Sequence, residues 1–114
     1  MPFWRKQVIQ PVLNNEVDLA IAEQQAILAK DPDNAKAHFA LGTLSHFKGE
    51  IERAIQHFQK ATELDPTSAA PHLSLGRIHA VRGEYDEAWK HARAAESLGA
   101  RDLVEMLERY PNLK

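Results

Sequence analysis

The chain has no cysteine, which removes disulfide bracing and all thiolate chemistry. Long apolar runs are missing too. No stretch reaches the ~20 residues that a bilayer-spanning helix needs, and no apolar run of signal-peptide length follows Arg5 and Lys6. An excess of either charge is also absent. The formal net charge of −2 gives no steering toward nucleic acid or an anionic membrane. Basic residues alternate with acids, as in Glu52/Arg53 and Glu84/Asp86/Glu87/Lys90, which reads as a solvated face rather than a phosphate-tracking stripe. There is no glycine-rich phosphate loop, no nucleophile elbow and no zinc-protease histidine pair, and Ser45 and Ser74 have no evident activating base. These absences predict a non-enzymatic, cytoplasmic protein with no cofactor, whose partners are neither nucleic acid nor membrane.

What the chain does have is a period. Ala35/Ala69, His38/His72, Leu41/Leu75, Gly42/Gly76, Gly49/Gly83, Glu50/Glu84, Ala54/Ala88, His57/His91, Ala61/Ala95 and Leu64/Leu98 are identical pairs 34 residues apart. A fixed period of this length marks a solenoid of helix–turn–helix units, each unable to bury its apolar face alone. Stacked units present a long curved surface rather than a catalytic pocket, which points to binding.

Local signals place the helices. Phe39, Leu41, Leu44 and Phe47 share a stripe, and Gly49 ends that helix because glycine tolerates positive φ. Ile51, Ala54, Ile55, Phe58, Ala61 and Leu64 form its partner, stopped at Asp65-Pro66. Ser68 is positioned to cap the next helix, with Pro71 in its first turn. Leu73, Leu75, Ile78 and Val81, then Tyr85, Ala88, Trp89, Ala92, Ala95 and Leu98, repeat the pair. Gly42 and Gly76 are expected to face Ala54/Ala61 and Ala88/Ala95 at close helix contacts.

The phase extends backwards: Glu16, Ala20, Ile21, Asp31 and Pro32 precede Glu50, Ala54, Ile55, Asp65 and Pro66 by one period. Residues 17–30 thus read as the second helix of a first unit. Its first helix, over 3–13, should be short or frayed, with Pro11 distorting it and Asn14-Asn15 replacing the glycine turn. The single domain divides into units 1–34, 35–68 and 69–102. A capping helix over 101–110 follows, with Leu103, Val104, Leu107 and Tyr110 on its apolar face.

These residues resemble the tetratricopeptide repeat, whose pattern is Trp-x2-Leu-Gly-x2-Tyr, Ala-x3-Phe, Pro. The central unit matches at Leu41, Gly42, Ala54, Phe58, Ala61 and Pro66, with His38 for the Trp and Ser45 for the Tyr. The third keeps Leu75, Gly76, Ala88 and Ala95, with Ala92 for the Phe, and the first keeps Trp4, Ala20 and Pro32. The resemblance implies an all-α, right-handed α-solenoid of about three repeats plus the C-terminal cap, acting as a protein–protein interaction module. It also implies a concave groove built from first helices, which takes a peptide or helix of a partner. The groove residues would be Lys36, Phe39, Thr43, His46 and Phe47 on the central repeat, and Ala70, Leu73, Arg77, Ala80 and Val81 on the third. Arg5, Ile9, Val12 and Leu13 would come from the first. Phe39, Phe47 and Leu73 also fit a role as ordinary packing residues. The family's carboxylate clamp is not implied, because its positions here carry Arg5, Ile9, Ala40, Ala70 and Ser74. A self-associating unit, dimerising through Phe3, Trp4 and the imperfect first helix, is the alternative.

The six histidines include two repeat-related pairs. Equivalent positions in stacked repeats lie about 10 Å apart, too far to share a metal ion. No metal site is expected. His38 and His72 should be half-buried, and His57 and His91 should face solvent.

Overall fold

A computed structural model of the chain describes the backbone from Pro2 to Arg109 and side chains from Glu16 to Arg109. Six helices follow in order: α1 (Pro2–Lys30), α2 (Ala35–Phe47), α3 (Ile51–Leu64), α4 (Ala70–Val81), α5 (Tyr85–Ser97) and α6 (Asp102–Glu108). The described residues contain no strand. α2 pairs with α3 and α4 with α5, as two hairpins. α3 packs on α4, α1 on α2, and α6 on α5 and α4. The result is the all-α solenoid with a terminal cap that the periodicity predicts.

The turns explain the period. Gly49, Gly83 and Gly99 have φ of +83°, +76° and +97°, a region open to glycine at little steric cost. Each turn closes with the same long backbone bond. The N–H groups of Glu50, Glu84 and Ala100 donate to the carbonyls of Ser45, His79 and Ala95 at 2.9, 2.8 and 2.9 Å.

The start of the chain departs from the expected hairpin. α1 runs unbroken from Pro2 to Lys30 instead of turning at Asn14-Asn15. Asn15 stands one period before Gly49, and no described non-glycine residue takes a positive φ. Without glycine there, the left-handed turn is unfavourable and the helix continues. Trp4, Arg5, Ile9, Pro11, Val12 and Leu13 precede the described side chains, and Tyr110 lies beyond the described residues.

The second half of α1 nevertheless keeps repeat register. Lys48 Nζ meets Asp18 at 3.0 Å, and one period later Arg82 meets Glu52 at 2.9 Å. Both pairs are exposed and stabilise little. Their shared spacing shows that α1 meets α2 as α3 meets α4.

Asn34 caps α2, its Oδ1 accepting from the Ala37 N–H at 2.9 Å. The expected Ser68 cap is not formed. Ala69 is the N-cap of α4 and has no side-chain bond, so Ser68 lies one residue outside the capping position. The loop is held instead by Asp65, whose Oδ1 accepts from the Thr67 N–H at 3.1 Å and its hydroxyl at 2.6 Å.

Two apolar clusters hold the stack. Ala54, Ile55, Phe58, Leu75 and Ile78 join the first hairpin to α4. Ala88, Ala92, Leu103, Val104 and Leu107 seat the cap on α5. Burying Phe58, Leu75, Leu103 and Leu107 contributes about 1.5–3 kcal/mol each. The close contacts at the helical glycines differ from those expected. A Cβ on Gly42 would lie 2.7 Å from the Phe58 ring, and one on Gly76 would collide first with Leu103, ahead of Ala88. Ala92 occupies the Phe58 position of the third unit, and Leu103 of α6 fills the space that this smaller residue leaves.

Candidate functional site

The expected groove residues do not share one floor. His46, Arg77 and Val81 line a cavity of about 330 Å³ between the end of α2, the start of α3 and the end of α4. Ile51, Ile78, Glu52 and Arg82 complete it. Lys36 and Phe39 line a smaller depression of about 110 Å³ with Ala70 and Pro71, at the opposite end of the same helices. Thr43 is exposed and donates its hydroxyl to the Phe39 carbonyl at 3.2 Å. Phe47 and Val81 are 78% and 89% exposed.

Three expected groove residues are engaged in packing. Phe39 meets the Phe58 ring with centroids 5.5 Å apart, against the first core cluster. Leu73 and Ala80 pack on the second cluster, beneath the cap. The reason is rotational: each first helix also packs against its own hairpin partner and the preceding helix, so part of its inner face is covered. Ile51 and Glu52 were missed because only first helices were considered, and Arg82 because it follows the last residue of α4. The 34-residue spacing of Asp18/Glu52 and Lys48/Arg82 was the available signal.

His38 and His72 are half-buried as expected, but the other repeat-related histidines differ from expectation. His57 and His91 do not face solvent but turn inward within their hairpins. Nδ1 of His38 lies 3.3 Å from Nδ1 of His57, and the His72–His91 pair repeats this at 3.0 Å. One ring of each pair donates and the other accepts, so at least one must be neutral. Burial, then the neighbouring His38 and Arg53 charges, lowers the His57 pKa, and burial lowers that of His72. His91 falls to about 4, first through burial and then through His72 and His79.

Acid sensitivity follows. The unfolded chain protonates His91 near 6.5 and the folded chain near 4, so the unfolded state gains protons first as pH falls. The stability contribution is whole above about 6.5 and is lost progressively down to about 4. The full difference corresponds to about 3 kcal/mol. Because the ring is only half-buried, the expected loss is about 1–2 kcal/mol. The groups facing His91 are His72 and His79 on α4, with Glu87 and Lys90 on α5. Urea unfolding at pH 7.5 and 4.5 measures the loss, and His91→Gln should shrink the difference. An unchanged difference in that variant would remove His91 as the cause.

Two family models match the chain. One described as "TPR repeat" covers 44–83, and one described as "Tetratricopeptide repeat" covers 24–56. Together they run continuously over 24–83, more than half of the chain, and through the junctions α1–α2 and α3–α4. The chain is a tetratricopeptide-repeat protein. No curated protein matches this tetratricopeptide-repeat chain by sequence.

Several solved structures share the fold. One described as MamA is 25% identical over 87% of this chain, with a TM-score of 0.70. MamA from Desulfovibrio magneticus RS-1 is 26% identical over 83%, with a TM-score of 0.68. A chain of a CopN-Scc3 complex, 18% identical over 96% with a TM-score of 0.68, shows the fold alone. The tetratricopeptide-repeat chain spans 55% and 53% of those two MamA chains. No helix among its described residues is long and apolar enough to cross a membrane.

Proposed function

We propose that the chain is a protein-interaction module that holds a segment of a partner protein on the α2–α4 face. The carrying observation is the 330 Å³ cavity, where Ile51, Ile78 and Val81 meet His46 and Arg77. Val81 and the nearby end-of-α2 residue Phe47 supply exposed apolar anchors. Among the described residues, Arg77 and Lys36 are in no ion pair, whereas Arg82 is bound to Glu52 and Glu84. Arg77 is thus the free cation beside the cavity, suited to an acidic side chain or a terminal carboxylate. Such a site takes an extended peptide or one face of a helix. Family membership supports the broader role, and these residues support the finer one.

Partners captured from native lysate supply the peptide for titration. Phe47→Ala or Val81→Ala should weaken binding by about 1–3 kcal/mol if either is a hot spot, and both variants should fold normally because both side chains are exposed. Added salt should matter less. Folded variants that bind as tightly as wild type would remove this face. Phe39→Ala instead reports on stability, since that ring packs against the core.

Self-association is a second reading, favoured by the bare face of α1. Leu19 and Ile27 are 54% and 40% exposed, although Ile27 stands where Ala61 and Ala95 are 1% and 0% exposed. A second copy could cover this face. Sedimentation mass decides: a dimer broken by Ile27→Glu supports this reading, and a monomer at all concentrations ends it.

A further inference from the structure

We propose that the α4–α5 hairpin carries a divalent-metal site formed by His79, Glu87 and His91, with Zn²⁺ as its ion. One ligand atom from each residue lies within 4.8 Å of the others. Ligands at about 2.0–2.2 Å from a tetrahedral Zn²⁺ sit about 3.3–3.6 Å from each other, so side-chain rotations that draw the atoms in by about 1 Å close the site. Glu87 and His91 are four residues apart on α5 and share a helix face. His79 comes from the facing helix α4, its ring parallel to that of His91 with centroids 5.7 Å apart.

Histidines one period apart lie too far from each other to share an ion. These ligands are not repeat-equivalent, and the hairpin itself brings them together.

The neighbouring hydrogen bonds support the assignment. His79 Nδ1 contacts Glu84 at 2.8 Å, and His91 Nδ1 contacts His72 at 3.0 Å. With Nδ1–H donating in each case, Nε2 carries the free lone pair on both rings. A ligating histidine commonly has its other nitrogen tied in this way, and a carboxylate is a frequent partner. Glu87 also lines an open depression of about 460 Å³ with Glu84 and Asp86, which gives the ion an acidic entry path. Two imidazoles and one carboxylate suit Zn²⁺ better than Mg²⁺ or Ca²⁺, which favour oxygen ligands. Three protein ligands leave a position for water.

The first hairpin is an internal control. It keeps the His38/His57 pair and Glu50, but Ser45 and Arg53 stand where the third unit has His79 and Glu87. The histidine pair is therefore common to both hairpins, while the two additional ligands are specific to one. Arg53 would repel a cation at the equivalent place.

The test titrates untagged full chain with Zn²⁺ by calorimetry, alongside visible absorption with Co²⁺ as a probe of coordination. One ion per chain is expected. His79→Ala and Glu87→Gln should each weaken binding by tenfold or more, as judged against about 10–100-fold for a lost orienting partner. His57→Ala should leave it within about twofold, consistent with the additivity of independent sites. Circular dichroism of each variant separates loss of a ligand from loss of the fold, and His79→Asn serves if the alanine variant unfolds. Absence of saturable binding overturns the proposal. So do binding that survives His79→Ala in a folded protein, two equivalent ions per chain, or an equal loss in His57→Ala. The outcome is independent of whether the α2–α4 face binds a partner.

Discussion

Phe58→Ala is expected to destabilise the protein by about 3–5 kcal/mol. Phe58 is 1% exposed and touches more than its own hairpin. Its ring covers Gly42 on α2, meets Phe39, and belongs to the cluster that includes Leu75 and Ile78 of α4. Truncation therefore loosens the α2–α3 contact and the α3–α4 junction together. Gly42 has no side chain to move into the vacancy, so relaxation should be incomplete. In a small domain the loss should lower Tm by about 12 °C or more, and it is a large share of a total of about 5–15 kcal/mol. Thermal and urea unfolding measure it. A loss below about 1 kcal/mol would show that the ring does not join the repeats.

Leu103→Ala should cost about 2–5 kcal/mol although the residue sits in a seven-residue helix at the end of the stack. Leu103 is 1% exposed and lies against Gly76. It takes the volume that a Phe would occupy at position 92, where this chain has Ala92. That substitution of one residue for another can be tested directly. Ala92→Phe should overpack the wild-type protein by about 1–3 kcal/mol, because Leu103 is already there. In the Leu103→Ala background the added ring should restore part of the lost stability, giving a favourable coupling of about 0.5–3 kcal/mol. Strict additivity of the two changes would show that they do not share one space.

The sequence made the two hairpins readable because their turns depend on backbone chemistry that only glycine satisfies easily. Gly49, Gly83 and Gly99 all take positive φ, and the helix ends follow from them. Asn15 could be read as a weaker version of the same turn, yet the helix passes through it. Propensity at one residue could not decide between a turn and a continued helix. Ala92 carried a signal that was visible but not used: a missing large residue at a repeated core position implies that another element fills the space.

Side-chain direction was less legible. Phe39 and Leu73 lie on first helices, as groove residues should, but their rotation about the helix axis turns them toward neighbours. Comparing the chain with itself at one period also concealed the histidine pairs. His38–His57 and His72–His91 are separated by 19 residues, the distance from one arm of a hairpin to the other. Periodicity reports what is equivalent between repeats, whereas contact within a repeat follows from how its two helices fold back.

The contrast between the two ends of the stack gives unfolding a direction. At one end α6 is anchored by Leu103, Val104 and Leu107, all at most 4% exposed. At the other, α1 leaves Leu19 and Ile27 bare and keeps only intermediate burial at Val17, Ala20, Ile21 and Leu28. In a linear array each unit is held mainly by its neighbours, so disruption begins where the least apolar surface is buried and advances inward. Amides of residues 16–30 should accordingly exchange with deuterium well before those of α4 and α5, like a zip that opens from its untied end.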